Sequence, residues 1–374
     1  MKEYKIPVIP GDGVGPEVIR EGKKVIDAVA PLEGFKVEWI HFPQGTDHYL
    51  KTGEIISEKT LEELGKYRAL YVGAIGDPRV EPGLVDSIIV KIRFAFDQYV
   101  NYRIVKLLEG VPTPLKNKGP KDIDFVAVRE NVEDFYIRVG ARAHKGTSNY
   151  QLPLVRKTYR TTFNVSVQTD AEEIGFHIGA ISREGSRRII KYGFELARKT
   201  GKTRVSVIDK ANVLPEMYNL WREVAAEVAK DYPGIEMEFM YADAATMWFV
   251  KNPEHFQVVV APNLFGDILT DLAAAISGGM GLAPGANLNP DGTSMFEPIH
   301  GSAPKYTGQN IVNPIATVWA GALMLDYLGE PKAARRITKA IEIILKAGKI
   351  KTRDLGGAAK TFEMGDALAT EAVK

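Results

Sequence analysis

Residues 256–275 read FQVVVAPNLFGDILTDLAAA, and this stretch decides the fold class. Val258–Ala261 is nearly continuous valine with no polar alternation, which predicts a strand buried on both faces. Such strands belong to parallel sheets covered by helices. In the NLFGDILTDLAAA that follows, Asp267 and Asp271 lie four apart, on one side if the segment is a helix. The same alternation appears at both ends of the chain. A strand at 6–10 leads into a helix over 16–30, with further strands at 36–42 and 69–74. Near the C-terminus, 314–328 and 331–347 read as two helices. The pattern points to a doubly wound α/β architecture.

Between these ends, 124–128 (DFVAV) and 204–208 (RVSVI) are again strand-like. Residues 159–168 (YRTTFNVSVQ) are rich in Thr, Val and aromatics and suggest extended arms. A helix over 183–199 follows, with Ser182 placed to cap it. No repeat, low-complexity tract or Pro/Gly-rich linker interrupts the chain. At 374 residues the prior is two domains of about 150 residues or more. The alternation at both ends predicts that the chain crosses between them more than once.

Composition narrows the chemistry. The 48 basic and 47 acidic side chains leave a net charge of +1, which argues against nucleic-acid or membrane-surface binding by bulk charge. No segment approaches the ~20 apolar residues of a membrane span. The opening MKEYKIPVIPGDG reads as a strand rather than a signal peptide, so a cytoplasmic protein is expected. There is no cysteine, which excludes disulfides, thiolate nucleophiles and Cys-ligated zinc. The six histidines are scattered, so any metal is expected to be a hard cation held by oxygen.

Five constellations carry possible chemistry. GDGVGPE (11–17) lies between a strand and a helix, but its glycines are spaced G-x-G-x-G, so it is not a Rossmann fingerprint. It reads as a tight turn with Pro16 opening the helix, bordering a ligand site at most. Arg93, Arg103 and Arg129 stand at the ends of predicted elements. Converging guanidinium groups suit a substrate with two or more carboxylates, although single arginines more commonly form surface ion pairs. Asp267 and Asp271 fall one helical turn apart, and Asp243 opens another helix. Such carboxylates suit Mg²⁺ or Mn²⁺, while acidic residues also favour first helical turns on their own account. Lys210 and Asn212, in IDKANVL, follow a strand at its carboxyl end, where α/β proteins keep their chemistry. Finally, FEPIHGSAPKYTGQNIVNP (296–314) describes a rigid non-helical loop of functional length. His300, Gly301 and nearby backbone could frame an adenosine, with Lys305 and Tyr306 adding a charge and a hydroxyl.

Taken together, the ordered set R-x9-R, RENxEDxY, DKANV, YxDA, NxFGDIxxD and EPxHGSAP resembles the β-decarboxylating dehydrogenases. That family includes isocitrate, isopropylmalate, homoisocitrate, D-malate and tartrate dehydrogenases, and the resemblance runs from PGDGVGPE to DLGG (354–357). It implies a two-domain α/β fold of the isocitrate/isopropylmalate dehydrogenase type, not a Rossmann domain, whose first domain is built from both chain ends. The expected division is 1–100 with 279–374 as the large cofactor-binding domain, and 101–278 as the small dimerisation domain with an arm near 140–170. It also implies a homodimer with shared active sites, with assembly to a tetramer open.

Carried over residue by residue, Arg93, Arg103 and Arg129 match the arginines that hold the malate carboxylates. Asp267, Asp271 and a partner-subunit Asp243 match the Mg²⁺ or Mn²⁺ ligands, and Tyr136 and a partner-subunit Lys210 match the acid–base pair. Gly73, Ala74 and Ile75 match the nicotinamide side of the cofactor site. Glu297, His300, Gly301, Ser302, Ala303 and Asn313 match the rest. Lys305, Tyr306 and Val312 resemble NADP-using members. Gly357 and Arg353 stand where those members carry an arginine and a tyrosine, so the cofactor is NAD or NADP.

The resemblance implies oxidation of a 2-hydroxy acid bearing a β-carboxylate, with Lys210 removing the hydroxyl proton and Tyr136 protonating C3 after loss of CO₂. Specificity in the family is set on the helix leading into Arg93. Ser87 matches a serine of isocitrate enzymes, whereas Ile89 and Val90 suit the alkyl group of isopropylmalate. DQYVN and GANLNP resemble the tartrate and D-malate branch. This mixed pocket implies a di- or tricarboxylate generalist. A phosphoryl-transfer enzyme would need GxxxxGK[ST], which is missing, and a regulatory subunit should have lost metal aspartates or the Tyr/Lys pair.

Overall fold

The computed structural model describes residues 2–85 and 87–374. Its strands are β1 (Lys2–Ile9), β2 (Phe35–His41), β3 (Ala69–Val72), β4 (Val100–Lys106), β5 (Asp124–Glu130) and β6 (Asp134–Val155). They continue with β7 (Arg160–Ala180), β8 (Arg204–Asp209), β9 (Glu236–Tyr241), β10 (Val258–Ala261), β11 (Pro284–Leu288) and β12 (Ser294–Pro298). The helices are α1 (Gly15–Val29), α2 (Thr46–Thr52), α3 (Glu58–Leu64), α4 (Ser87–Ala95), α5 (Arg183–Thr200) and α6 (Pro215–Ala229). The last are α7 (Ala242–Lys251), α8 (Asn263–Ile276), α9 (Ile315–Tyr327), α10 (Pro331–Ala347) and α11 (Thr361–Ala372).

The chain forms two compact units. The first comprises Met1–Val126, Trp248–His255 and Thr270–Lys374; the second comprises Ala127–Met247 and Phe256–Leu269. In the first, the strand order is β2-β1-β3-β12-β11-β4. Pairing is parallel from β2 through β12, but β11 is antiparallel to both β12 and β4. The winding at the N-terminal end is as the alternation predicts. The antiparallel β11–β12 pair is not, because five-residue strands joined by NPDGT carry no period that distinguishes direction. Helix α9 is buried almost all round and packs against α1, α10 and β12. A second apolar cluster joins Ile88 and Ile92 of α4 to Leu61, Leu64, Leu70 and Val72.

The second unit carries β10, β8 and β9, parallel to one another, beside the part of β5 from Ala127 onward. β10 is wholly buried, as its valine run requires. α5 starts where expected: the Ser182 hydroxyl accepts from the Gly185 amide at 2.9 Å, a cap worth about 1 kcal/mol. The extended region is longer than its sequence signal, since β6 and β7 pair from Asp134↔Ala180 to Val155↔Arg160 as one antiparallel hairpin. Polar and charged positions between the apolar ones hide its length.

Candidate active site

In the second unit three of the candidate groups, Arg129, Tyr136 and Asp267, meet at α8. Asn263, fully buried at its first turn, accepts from Arg129 Nε at 2.9 Å and Nη2 at 2.7 Å. This fixes the guanidinium plane, and Nη1 then reaches the Asp267 carboxylate. The Tyr136 hydroxyl donates to the other Asp267 oxygen, and its ring lies under Arg129 at 4.8 Å. Gly266 permits the approach, because a Cβ there would lie 2.6 Å from Arg129 Cγ. Burial raises the Tyr136 hydroxyl above its ordinary value against the opposing Arg129 charge, so it stays a proton donor. Asp271 is exposed one turn further along α8.

Lys210 and Asp243 also come together. Lys210 follows β8, Asp243 opens α7, and Nζ lies 2.5 Å from Oδ1. The Lys210 ammonium holds the Asp243 carboxyl below its ordinary range. Asp243 is 69% exposed, so the pair adds little stability and leaves both groups available. Asn212 is exposed two residues beyond Lys210. Among the described residues, no group of three His, Cys, Asp or Glu side chains is gathered in one chain to hold a metal. The donor chemistry nevertheless fits a hard divalent cation, since Asp267 and Asp271 offer carboxylate oxygens at helical i, i+4 spacing.

In the first unit, Arg93 and Arg103 are braced from behind. Arg93 Nη2 donates to Glu297 Oε1 at 3.3 Å, and Arg103 Nε donates to Asn101 Oδ1 at 2.6 Å. Ser87 is buried, with its hydroxyl donating to the Leu84 carbonyl. Ile89 is half-buried and packs on the apolar cluster under α4, while Val90 is half-buried on that helix.

Six of the candidate cofactor residues, His300, Gly301, Ala303, Tyr306, Val312 and Asn313, line a cavity of about 640 Å³ together with Val14 and Arg353, among others. The glycine turn forms one wall. Gly13, at φ +57°, lets Val14 N donate to the Ser302 carbonyl at 2.9 Å, where a Cβ would strike that oxygen. Gly73 allows its amide to reach the Ile9 carbonyl, and Ala74 O accepts from the Asp12 amide, both at 2.8 Å. Ile75 packs on the apolar cluster. Glu17 holds the far side of the loop, accepting from Gly308 N at 2.6 Å and Asn310 N at 3.1 Å. Asn313 donates to Asp354 at 3.0 Å and caps α9 through Ile315 N.

His300 has a buried Nε2 with no partner among the described residues, and burial lowers its pKa and keeps the ring neutral. An orphaned ring nitrogen on a nucleoside-sized cavity fits a dinucleotide cofactor. Glu297 bonds Arg93 and Asn287 instead of lining this cavity. Lys305 also lies off it, 4.8 Å over the Tyr306 ring.

Sequence reasoning passed over Asp12, Asn263, Asn101 and Asn287. Asp12 is buried and ties Thr46 N at 2.7 Å and Gly76 N at 2.9 Å to the glycine turn. Its signal was the carboxylate inside GDG. Asn263 could have been found from its place in NLFGD, whereas Asn101 and Asn287 show only once their strands pair.

An α/β protein with this carboxylate, arginine and tyrosine constellation is an oxidoreductase of the decarboxylating dehydrogenase class. The chain belongs to the isocitrate/isopropylmalate dehydrogenase family, whose model matches residues 5–368. It is 39% identical to a 3-isopropylmalate dehydrogenase of Thermobifida fusca (strain YX) over 371 residues, covering 98% of this chain and 97% of the relative. A probable tartrate dehydrogenase/decarboxylase of Agrobacterium vitis is 41% identical over 372 residues, covering 98% and 97%. A decarboxylating D-malate dehydrogenase of Escherichia coli (strain K12) is 40% identical over 382 residues, covering 98% of each. The crystal structure of isocitrate dehydrogenase from Methylococcus capsulatus superposes with a TM-score of 0.85 at 34% identity, covering 99% of this chain and all of that one.

Proposed function

We propose that the protein oxidatively decarboxylates a 2-hydroxy acid bearing a β-carboxylate, with broad acceptance among isocitrate, homoisocitrate and 3-isopropylmalate, and with D-malate or tartrate as the alternative substrates. The observation that carries this reading is the meeting of Arg129, Tyr136 and Asp267 at one point. A carboxylate grip, a protonated hydroxyl and a hard-oxygen ligand there serve three parts of one reaction. Asp267 and Asp271 would hold Mg²⁺ or Mn²⁺, completed by Asp243 of the partner subunit in a homodimer. The metal supplies polarisation of the substrate hydroxyl and its neighbouring carboxylate, and NAD or NADP supplies the oxidant.

In this reading Arg93, Arg103 and Arg129 orient the substrate carboxylates, and Lys210 of the partner removes the hydroxyl proton. Tyr136 gives its proton to C3 once CO₂ has left. Ser87, Ile89 and Val90 stand on the helix leading into Arg93, and this stretch would set which group on C3 is accepted, polar or alkyl. Arg353 on the cofactor cavity favours use of the 2′-phosphorylated cofactor. Asp354 next to it is suited to a ribose hydroxyl, so both cofactors should serve. Action in the cytoplasm belongs to the same proposal.

Steady-state kcat/KM with Mg²⁺ or Mn²⁺, crossing the five acids against both cofactors, tests it. Comparable values for several acids support the generalist. A preference above ~100-fold for one acid, about 2.7 kcal/mol in the transition state, would overturn breadth and name the substrate. Silence on all five would sink the catalytic reading.

A further inference from the structure

The two substrate-side arginines of the first unit are linked through three strands. Asn101 and Arg103 are two apart on β4, so both side chains stand on one face. β11 runs antiparallel beside β4 with Asn287 opposite Asn101 and Gly285 opposite Arg103. On its other edge β11 places Gly285 opposite Glu297 of β12. One face therefore carries Arg103 and Asn101, then Gly285 and Asn287, then Glu297. Gly285 has no side chain, and a Cβ there would come 3.5 Å from Arg103 Cζ, so the guanidinium lies across the gap.

Three bonds run one way along this face, from Arg103 to Glu297, and Arg93 donates to that carboxylate from the other end. Arg103 Nε donates to Asn101 Oδ1 at 2.6 Å, and Asn101 Nδ2 donates to Asn287 Oδ1 at 2.8 Å. Asn287 Nδ2 donates to Glu297 Oε1 at 2.7 Å, and that same oxygen accepts from Arg93 at 3.3 Å. Both asparagines are fully buried, and Arg103 and Glu297 are 7% and 8% exposed. A buried amide between charged groups holds one orientation, because turning it over would set donor against donor and acceptor against acceptor. Each bond also polarises the next in a low-dielectric interior.

We propose that Asn101 and Asn287 are positioning residues, a neutral amide relay that sets the spacing and aim of Arg93 and Arg103 for a dicarboxylate. The proposal rests on the reading that these arginines grip substrate. Amides suit the task better than carboxylates. Asn101 holds Arg103 directly and Asn287 holds the Glu297 carboxylate that Arg93 meets, without adding a charge that competes for either cation, and neither amide titrates.

Malonate binding to the full-length protein with Mg²⁺, measured by calorimetry, tests the relay without needing turnover. Asn287→Ser, Asn287→Leu and Asn101→Ser should raise the malonate Kd and the KM for the best acid about ten- to hundredfold, the range for a lost hydrogen bond to a charged group. kcat should change less than KM, with cofactor Kd and Tm near wild type. Asn287→Asp should bind malonate in a pH-dependent way, losing affinity as the new carboxylate ionises beside the arginines. A residue that merely supports the fold would not create that profile.

Unchanged malonate affinity in every variant overturns the relay, as does an equal loss of KM, kcat, cofactor binding and Tm, or absence of malonate binding to the wild type. If Asn287→Leu does not fold, the serine variants carry the test. Failure of the wild type on all acids with malonate losses intact would sink the functional reading and leave the relay standing. Normal turnover with unchanged Kd values would do the reverse.

Discussion

The arginine face of the first unit and the charged groups of the second, at α8 and at the Lys210–Asp243 pair, hold their charges in opposite ways. Arg93 and Arg103 are tied to a buried acid and two neutral amides, so their aim is set before any ligand arrives. Lys210 and Asp243 are paired mainly with each other at an exposed site, and Asp267 with 39% exposure is held by Arg129 and Tyr136. Binding groups gain from rigidity, because orientation lost at the moment of binding costs affinity. Groups that must exchange a proton or accept a metal gain from weak, exposed pairing that a ligand can replace. The difference separates charges fixed by buried polar partners from charges left open to a ligand.

Removing the reacting side should have the largest effect. Lys210→Met is expected to lower kcat by about 10²- to 10⁴-fold, as for loss of a general base, while cofactor binding by fluorescence stays measurable. Rates near wild type would break the contrast, because Lys210 would then be an ordinary surface cation. A smaller and more selective effect is expected from Tyr136→Phe. It should slow decarboxylation and protonation more than hydride transfer, so an isotope effect on the C2 hydrogen should shrink. Normal turnover of an added β-keto acid would show that Tyr136 is not the acid.

Two further changes bear on how the α8 cluster is built. Gly266→Ala forces a methyl group to 2.6 Å from Arg129 Cγ, which should cost about 1–3 kcal/mol by overpacking and appear as a lower Tm together with a raised KM. A Tm equal to wild type would mean that Arg129 is free to shift. The smallest effect concerns Glu130, buried beside Glu133, whose carboxyl is raised above its ordinary value by burial. The folded protein then holds more protons than the unfolded chain above the unfolded pKa. This group's contribution is present at low pH and lost as pH rises through the folded pKa. Glu130→Gln should therefore change Tm little at about pH 5 and raise it relative to wild type at about pH 8. Calorimetry at the two values checks it, and an equal shift at both would refute the sign.

Much of this was legible in the sequence, where the signal was local. The valine run of β10, the Ser182 cap of α5 and the helices 315–327 and 331–347 depend on neighbours within a few residues, which is why period and capping residues reveal them. The failed dinucleotide fingerprint was equally informative, since the spacing of Gly11, Gly13 and Gly15 suits close contact with the backbone at Ala74 and Ser302. The β6–β7 hairpin was legible only in part, because a two-stranded ribbon with polar alternation resembles loop over much of its 22 and 21 residues.

The sequence by itself determined the α/β class, the absence of thiol chemistry and the ordered motifs that mark the family, because each rests on residue type and local spacing. Only the tertiary structure decided that Asn263 aims Arg129, that Glu297 turns to Arg93, and that Asn101 and Asn287 join two arginines across three strands. Apart from the local Arg103–Asn101 bond, those partners lie from 10 to 204 residues apart along the chain. Hydrogen bonds of a few ångströms between such distant positions depend on strand register, and register is fixed only when the whole sheet packs.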